Sequence, residues 1–383
     1  MTPTLKPATA SVERVVESVD ENAGERPDRR GTYLALQGGV MNFLMTADVD
    51  KSWDRFVESH PRATVAHLSA WGQIAHEAYG HEPIYLRAEE EGEIRGVLPL
   101  VRVSSRLFGR RLVSMPFLDY GGVLTEPDRG LETTLVEHAL TRTRACRAQG
   151  LGLRQLHPEP MPWPTTDDRV TMLLELTTEE AVWKALPSER RNRVRKGEKQ
   201  GLTATWCGPE ALDEFYEVFA VNMRDLGSPV HSRGFFRSML KALPGTARVL
   251  MVRDKDGRAV GAAVCLFFRD TIMVPWVSSL RDAFALCPNF VLYWEVIRFG
   301  CRSGYRILDL GRSFKSAGTF EFKRQWGARP HTLPWIFLDA APGGPPPVDR
   351  DASRFELMIR AWKKLPVPIA NVVGPWIRRQ VPN

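Results

Sequence analysis

One pattern occurs twice in this chain, and it limits the possible folds more than any other feature. Residues 84–87, a Glu91-Gly92-Glu93 turn and residues 94–100 read as a β-hairpin. Residues 249–252, a Lys255-Asp256-Gly257 turn and residues 259–264 repeat the device, with Gly96 and Gly261 165 positions apart. Each hairpin leads into more strand, a helix-patterned segment, a glycine and another strand. In the first copy these are 131–149, Gly150 and 151–156; in the second they are 289–301, Gly304 and 305–310. Phe290, Tyr293, Trp294, Ile297 and Cys301 follow the i, i+3, i+4 spacing of one helix face. Strands alternating with helices give a mixed α/β sheet, here repeated. A length of 383 residues also exceeds one ordinary core.

Pro158, Pro160, Pro162 and Pro164 mark the division, because no helix interior or central strand accommodates such a run. The expected organisation has four parts: a loosely ordered N-terminus (1–41), a first α/β domain (42–176), a second (177–341), and a Pro/Gly linker with a basic, apolar tail (342–383), with a strand over 170–176 leading into the second half. The second copy continues with Asp309-Leu310-Gly311-Arg312-Ser313, a short helix carrying Phe320, Phe322, Lys323 and Trp326, and one closing strand over 332–338.

Several classes are disfavoured. No run of 18 apolar residues exists, and 259–276 is interrupted by Arg269-Asp270, a hairpin turn. The polar N-terminus lacks a charged-then-apolar leader, so a cytoplasmic location is expected. Cys146, Cys207, Cys265, Cys287 and Cys301 have no C-x-x-C spacing and read as free thiols in a reducing compartment. The eight histidines include no H-x-x-x-H or H-E-x-x-H pair, so no metal is expected.

Residues 188–199 hold Arg190, Arg191, Arg193, Arg195, Lys196 and Lys199 against Glu189 and Glu198. Guanidinium groups at that density suit phosphate, in keeping with the net charge of +7; a solvated helix face is the alternative. Aromatics do not interleave with these charges, so single-stranded nucleic acid is not specifically indicated, and no DNA partner is expected. Asp119-Tyr120-Gly121-Gly122 breaks an apolar strand, as a plain turn or as a place where backbone approaches a ligand. Asp309 ends a buried strand, either orienting or deprotonating an amine or capping the next turn. Arg312, Ser313 and Lys315 offer groups for a phosphate or carboxylate.

These stretches resemble the FemAB-like family, nearest the members associated with exosortase/PEP-CTERM and exopolysaccharide systems. The resemblance is carried by Pro288-Asn289 and Leu292-Tyr293-Trp294-Glu295, by 309–313, by Phe322-Lys323-Arg324-Gln325-Trp326-Gly327, and by the basic stretch 190–202. It implies an α/β (α+β) fold of two tandem GNAT-like domains, each a mixed sheet flanked by helices. It further implies an acyl- or aminoacyltransferase acting on an amine of a peptidoglycan or exopolysaccharide precursor. In that reading Lys323 stabilises the tetrahedral intermediate and Asp309 assists. Arg191, Arg193, Arg195, Lys196, Asp119, Tyr120, Asn289, Arg312, Ser313 and Lys315 bind substrate. No cofactor is held; the donor is aminoacyl-tRNA or acyl-CoA, and the partner is a phosphorylated small-molecule or lipid-linked precursor, or tRNA. The Q/R-x-x-G-x-G/A turn that cradles coenzyme A in conventional GNAT enzymes is missing, with Ala283 to Pro288 in its place. An acyl-CoA-dependent N-acyltransferase of the same fold and a non-catalytic binder of a glycan precursor or tRNA remain as alternatives.

Beyond the linker, residues 357–383 carry Arg360, Lys363, Lys364, Arg378 and Arg379 and no Asp or Glu. Trp362, Trp376 and other apolar residues alternate with these charges, while Pro366, Pro368 and Pro375 prevent one continuous helix. Either the tail packs back on the domains and buries its tryptophans, or it lies in the headgroup region of an anionic membrane.

Overall fold

A computed structural model describes residues 32–38, 41–106, 109–127, 130–159, 161–166, 168–340 and 358–381. The first half comprises β1 (Thr32–Gly38), β2 (Met41–Thr46), α1 (Lys51–Ser59), α2 (Ala70–Tyr79), β3 (Glu82–Glu90), β4 (Glu93–Ser105), β5 (Gly109–Val113), β6 (Leu124–Thr125), α3 (Leu131–Ala145), β7 (Gly150–Arg154) and β8 (Thr165–Thr166). The second comprises β9 (Arg169–Glu175), α4 (Glu179–Ala185), α5 (Ser188–Lys199), β10 (Thr203–Cys207), α6 (Leu212–Leu226), α7 (Arg233–Ala242), β11 (Ala247–Arg253), β12 (Ala259–Phe268), β13 (Thr271–Ser279), α8 (Pro288–Arg302), β14 (Ile307–Phe314), α9 (Gly318–Arg324), β15 (Arg329–Thr332) and β16 (Trp335–Asp339).

Two mixed sheets result. The first runs β1-β2-β3-β4-β5-β7-β16-β8 with β6 beside β4; the second runs β10-β11-β12-β13-β14-β9-β15. The duplication is visible in the pairing: β3, β4 and β5 are antiparallel and β5 joins β7 in parallel, as β11, β12 and β13 are antiparallel and β13 joins β14 in parallel. In each half the parallel step is bridged by a 15-residue helix, α3 or α8, because parallel neighbours need a crossover.

Three details differ from the sequence reading. The strand at 170–176, counted within 42–176 but read as leading into the second half, lies in the second sheet between β14 and β15. The expected single strand over 332–338 is two strands in two sheets: β15 pairs with β9, and β16 returns to β7 and β8 of the first sheet. Pro334 explains the break, since proline supplies no N–H and restricts Leu333 before it. Thr32–Gly38, placed in a loosely ordered terminus, pairs antiparallel with β2; residues 1–31 and the 342–347 linker lie outside the described residues.

A shared core joins the halves. One buried cluster contains Trp53, Trp71 and Tyr79 from the first half with Phe215, Phe235, Phe236 and Trp276 from the second. The tail returns to this body: the helix Val367–Gln380 buries Ala370 and Gly374, and a Cβ on Gly374 would lie 2.8 Å from Val230 Cγ1. Arg378 Nε donates to His231 Nε2 at 3.0 Å, and Gln380 Oε1 accepts from the Arg106 N–H at 2.7 Å. Cys265 and Cys287 are buried, the other three cysteines are half-buried, and all five are free.

Candidate active site

The parallel pairing of β13 and β14 covers only Thr271–Met273 against Ile307–Asp309. Beyond Asp309 the two strands part. There β14 also shifts register against β9, between Asp309 and Arg312. Gly311 sits in this bulge at φ +77°, a conformation that costs glycine little. The bulge directs the Gly311 and Arg312 carbonyls at Lys323, whose Nζ donates to both at 2.9 Å.

Helix α9 aims that lysine inward. Phe322 and Trp326 pack on Phe290 and Tyr293 of α8, with ring centroids 5.4–6.5 Å apart across the group. The aromatics thus fix the helix face and leave Lys323 buried at 8% exposure. Burial lowers its pKa to about 8; Asp119 and Asp309 oppose the shift and Arg312 adds to it. An ammonium has three donors. Two are engaged here, and the third is available to an oxygen that gains charge.

Asp309 is fully buried. Its Oδ1 accepts from Thr171 Oγ1 and, at 2.7 Å, from the Gly311 N–H, and its Oδ2 accepts from the Tyr120 hydroxyl at 2.6 Å. Burial raises its pKa, while these three donors hold it down. Three of roughly four acceptor sites are taken, so the carboxyl closes the turn after it and ties that turn to the first half.

Tyr120 and Asp119 reach the fork from the 114–122 loop, where Met115 and Phe117 have φ of +44° and +75°. Non-glycine residues in that region carry strain, which the surrounding contacts must hold in place. Asp119 Oδ2 accepts the Arg312 N–H at 3.0 Å, and its Oδ1 pairs with Arg312 Nε at 3.3 Å. Its carbonyl accepts Trp335 Nε1–H at 3.1 Å. The guanidinium carbons of Arg154, Arg169 and Arg312 stand 4.7, 4.9 and 5.0 Å from the Trp335 ring. Burial, followed by repulsion from Arg312, lowers the Arg154 pKa to about 9. A cavity of about 210 Å³ opens between the halves, lined by Tyr120, Leu173, Leu266, Met273 and Ile307 with Arg62 among others.

Asp119, Tyr120, Asp309, Arg312 and Lys323 therefore converge. Ser313 is buried nearby, its hydroxyl 3.4 Å from Thr319 Oγ1, whereas Lys315 is exposed on the following turn. Asn289 stands apart at the start of α8, where its Oδ1 accepts from Ser279 at the end of β13.

The basic segment is α5, and its faces divide the charges. Val194 and Gly197 are buried; a Cβ on Gly197 would lie 2.5 Å from Val291 of α8. Arg193, Arg195 and Lys196 are exposed and Arg191 half-buried, its Nη1 donating to the Lys184 carbonyl. None of these four is in contact with the Lys323 cluster. Arg190 does turn inward, 5.1 Å from the Phe290 ring and 5.0 Å from Phe322. Sequence reasoning missed Arg190, Thr171 and Trp335 as site residues. Only Arg190 left a signal, as the one arginine of the run in helical register with Val194 and Gly197.

Residues 188–324 match the GNAT acetyltransferase domain family. FemX is 13% identical with a TM-score of 0.62, the match covering 82% of this chain and 99% of FemX. A tandem GNAT protein from the clavulanic acid biosynthesis pathway is 14% identical with a TM-score of 0.50, covering 79% and 99%. L-PGS from Bacillus licheniformis is 11% identical with a TM-score of 0.51, covering 83% and 96%. No curated protein sequence matches the chain. The fold and domain define an acyltransferase of the GNAT type. The matched segment is a GNAT acetyltransferase-type domain, and over most of its length the chain's fold is similar to that of FemX. Among the described residues no helix is long and apolar enough to cross a membrane.

Proposed function

We propose that this protein transfers an acyl or aminoacyl group to an amine of a phosphorylated cell-envelope precursor, with Lys323 stabilising the oxyanion. The observation that carries this reading is the buried Lys323 ammonium, held by two carbonyls where β13 and β14 part. When the amine nitrogen attacks the donor carbonyl, a C–N bond forms and negative charge gathers on the carbonyl oxygen. Collapse of that intermediate breaks the bond to the tRNA hydroxyl or coenzyme A thiol, which leaves with the proton the amine gives up. A preorganised cation in a buried site is worth far more to such an oxygen than one in water. Asp309 acts as a positioning residue, through Gly311 and Tyr120. The basic face of α5 suits the phosphate of donor or acceptor, and the FemX and L-PGS folds support an envelope-related acceptor.

The test is to incubate the purified protein with aminoacyl-tRNA or acyl-CoA and nucleotide-linked or lipid-linked amine precursors, followed by mass spectrometry. The expected result is an acceptor heavier by one acyl group with one donor class, formed about 10²–10³ more slowly by Lys323→Met. Tight binding of precursor or tRNA without any product would overturn catalysis in favour of a binding protein.

A further inference from the structure

The helix Val367–Gln380 faces the wrong way for a helix of a globular protein. Its inner face is made of small residues, Ala370 and Gly374, against Val230. Its outer face carries Ile369, Val372, Val373 and Trp376, which are 48%, 77%, 37% and 50% exposed. Those four stand at i, i+3, i+4 and i+7, a continuous apolar stripe that a surface helix normally turns to its core. With Met358, 64% exposed, the tail supplies five of the nine exposed large hydrophobic residues among those described.

The stripe is held in place. Arg378 is anchored on His231, Gln380 on the Arg106 N–H, and the Leu365 carbonyl accepts from Arg224 Nη1 at 2.9 Å. The helix cannot roll to bury Trp376 without breaking these bonds. Charge selects the occupant. Lys363, Lys364 and Arg379 of the same segment are exposed, and the chain has no Asp or Glu from 357 to 383. An apolar stripe on a segment whose charged residues are all positive complements the surface of an anionic bilayer, where apolar side chains enter the headgroup boundary and Lys and Arg meet lipid phosphate.

We infer that the C-terminal helix docks this protein on anionic membrane surfaces, lying in the interface plane with Val372 and Trp376 inserted. The inference is independent of the proposed chemistry, because it rests on the outward-facing Ile369, Val372, Val373 and Trp376.

Sedimentation of the full chain with phosphatidylglycerol/phosphatidylcholine vesicles tests it, with pure phosphatidylcholine as the control. Binding to the anionic vesicles is expected, falling as salt rises. Val372→Asp with Trp376→Ser should lower it at least 10-fold. Lys363→Gln with Lys364→Gln should lower it by about 5-fold per charge and flatten the salt dependence. Val372 and Trp376 are exposed, so circular dichroism should show the folded state retained. Equal sedimentation of all variants, or equal binding to neutral and anionic vesicles, overturns the proposal. So does concentration-dependent dimerisation that the Val372→Asp variant abolishes, since the stripe would then join two copies.

Discussion

The two halves contain the same fork of parallel strands, and they use it in opposite ways. In the first half β5 and β7 pair over Arg111–Val113 and Gly150–Gly152, and the contact then continues. The Ser114 N–H donates to the Gly152 carbonyl at 2.9 Å, Ser114 Oγ accepts the Arg154 N–H at 2.8 Å, and the Gly121 N–H donates to the Arg154 carbonyl at 3.0 Å. Loop and side chain fill that fork. In the second half the parallel register ends at Met273 and Asp309, and the Gly311 and Arg312 carbonyls beyond it accept from Lys323 Nζ. The loop that closes the first fork then extends Asp119 and Tyr120 to the second. A duplicated fold thus need not carry a duplicated site: one copy supplies the opening and the other its supports.

The sharpest way to break this comparison is at Lys323. Lys323→Met should cost about 10²–10³ in turnover with circular dichroism unchanged; unaltered turnover on a natural acceptor would remove the second fork's distinction. A pH series follows. Lys323 is charged below about 8, so kcat/KM should fall about 10-fold per pH unit above that value. The stability effect has the opposite sign. Between about 8 and the ordinary lysine range the unfolded chain holds a proton that the folded chain has released. This group therefore makes the fold more stable as pH rises through that window. In Lys323→Met both trends should vanish, as read by rate profiles and by denaturation at several pH values.

A smaller and paired effect compares the forks directly. Tyr120→Phe and Ser114→Ala each remove one buried hydrogen-bonding hydroxyl, and each should lose about 1–3 kcal/mol in urea unfolding. Only Tyr120→Phe should also lower turnover, by about 10-fold, because its partner is Asp309. Matching turnover losses in both variants would show that the first fork is not merely structural. The smallest effect is expected from Arg191, Arg193 and Arg195 changed together to Gln. Binding of a phosphorylated partner should weaken several-fold and its salt dependence should flatten, with stability nearly unchanged because Arg193 and Arg195 are exposed. Persistence of both affinity and salt slope would reduce α5 to a solvated face.

The repeat was legible because hairpins and amphipathic helices are written in local periodicity. The Gly92 and Gly257 turns, both at positive φ, lie where the sequence put them. Asp309 and Arg312 were also legible, as polar residues closing a buried strand, and Lys323 through the family resemblance carried by residues 322–327. What escaped were partners distant in sequence. Thr171 lies 138 positions from Asp309 on a strand counted within 42–176. Trp335 looked like one more residue of a closing strand, yet it receives three guanidinium groups and bonds to Asp119.

By itself the sequence determined the element types, the duplication and the polar loop after β14, since those follow from spacing, turn residues and proline positions over a few neighbours. The tertiary structure alone decided which fork stays open, which half lends Tyr120 and Asp119 to Asp309 and Arg312, and that the tail's tryptophan at 376 faces outward. Strand exchange through β9 and β16 and the burial of Lys323 depend on contacts between segments more than a hundred residues apart. No local pattern encodes such contacts, because they are settled by which apolar faces can be covered together when the whole chain packs.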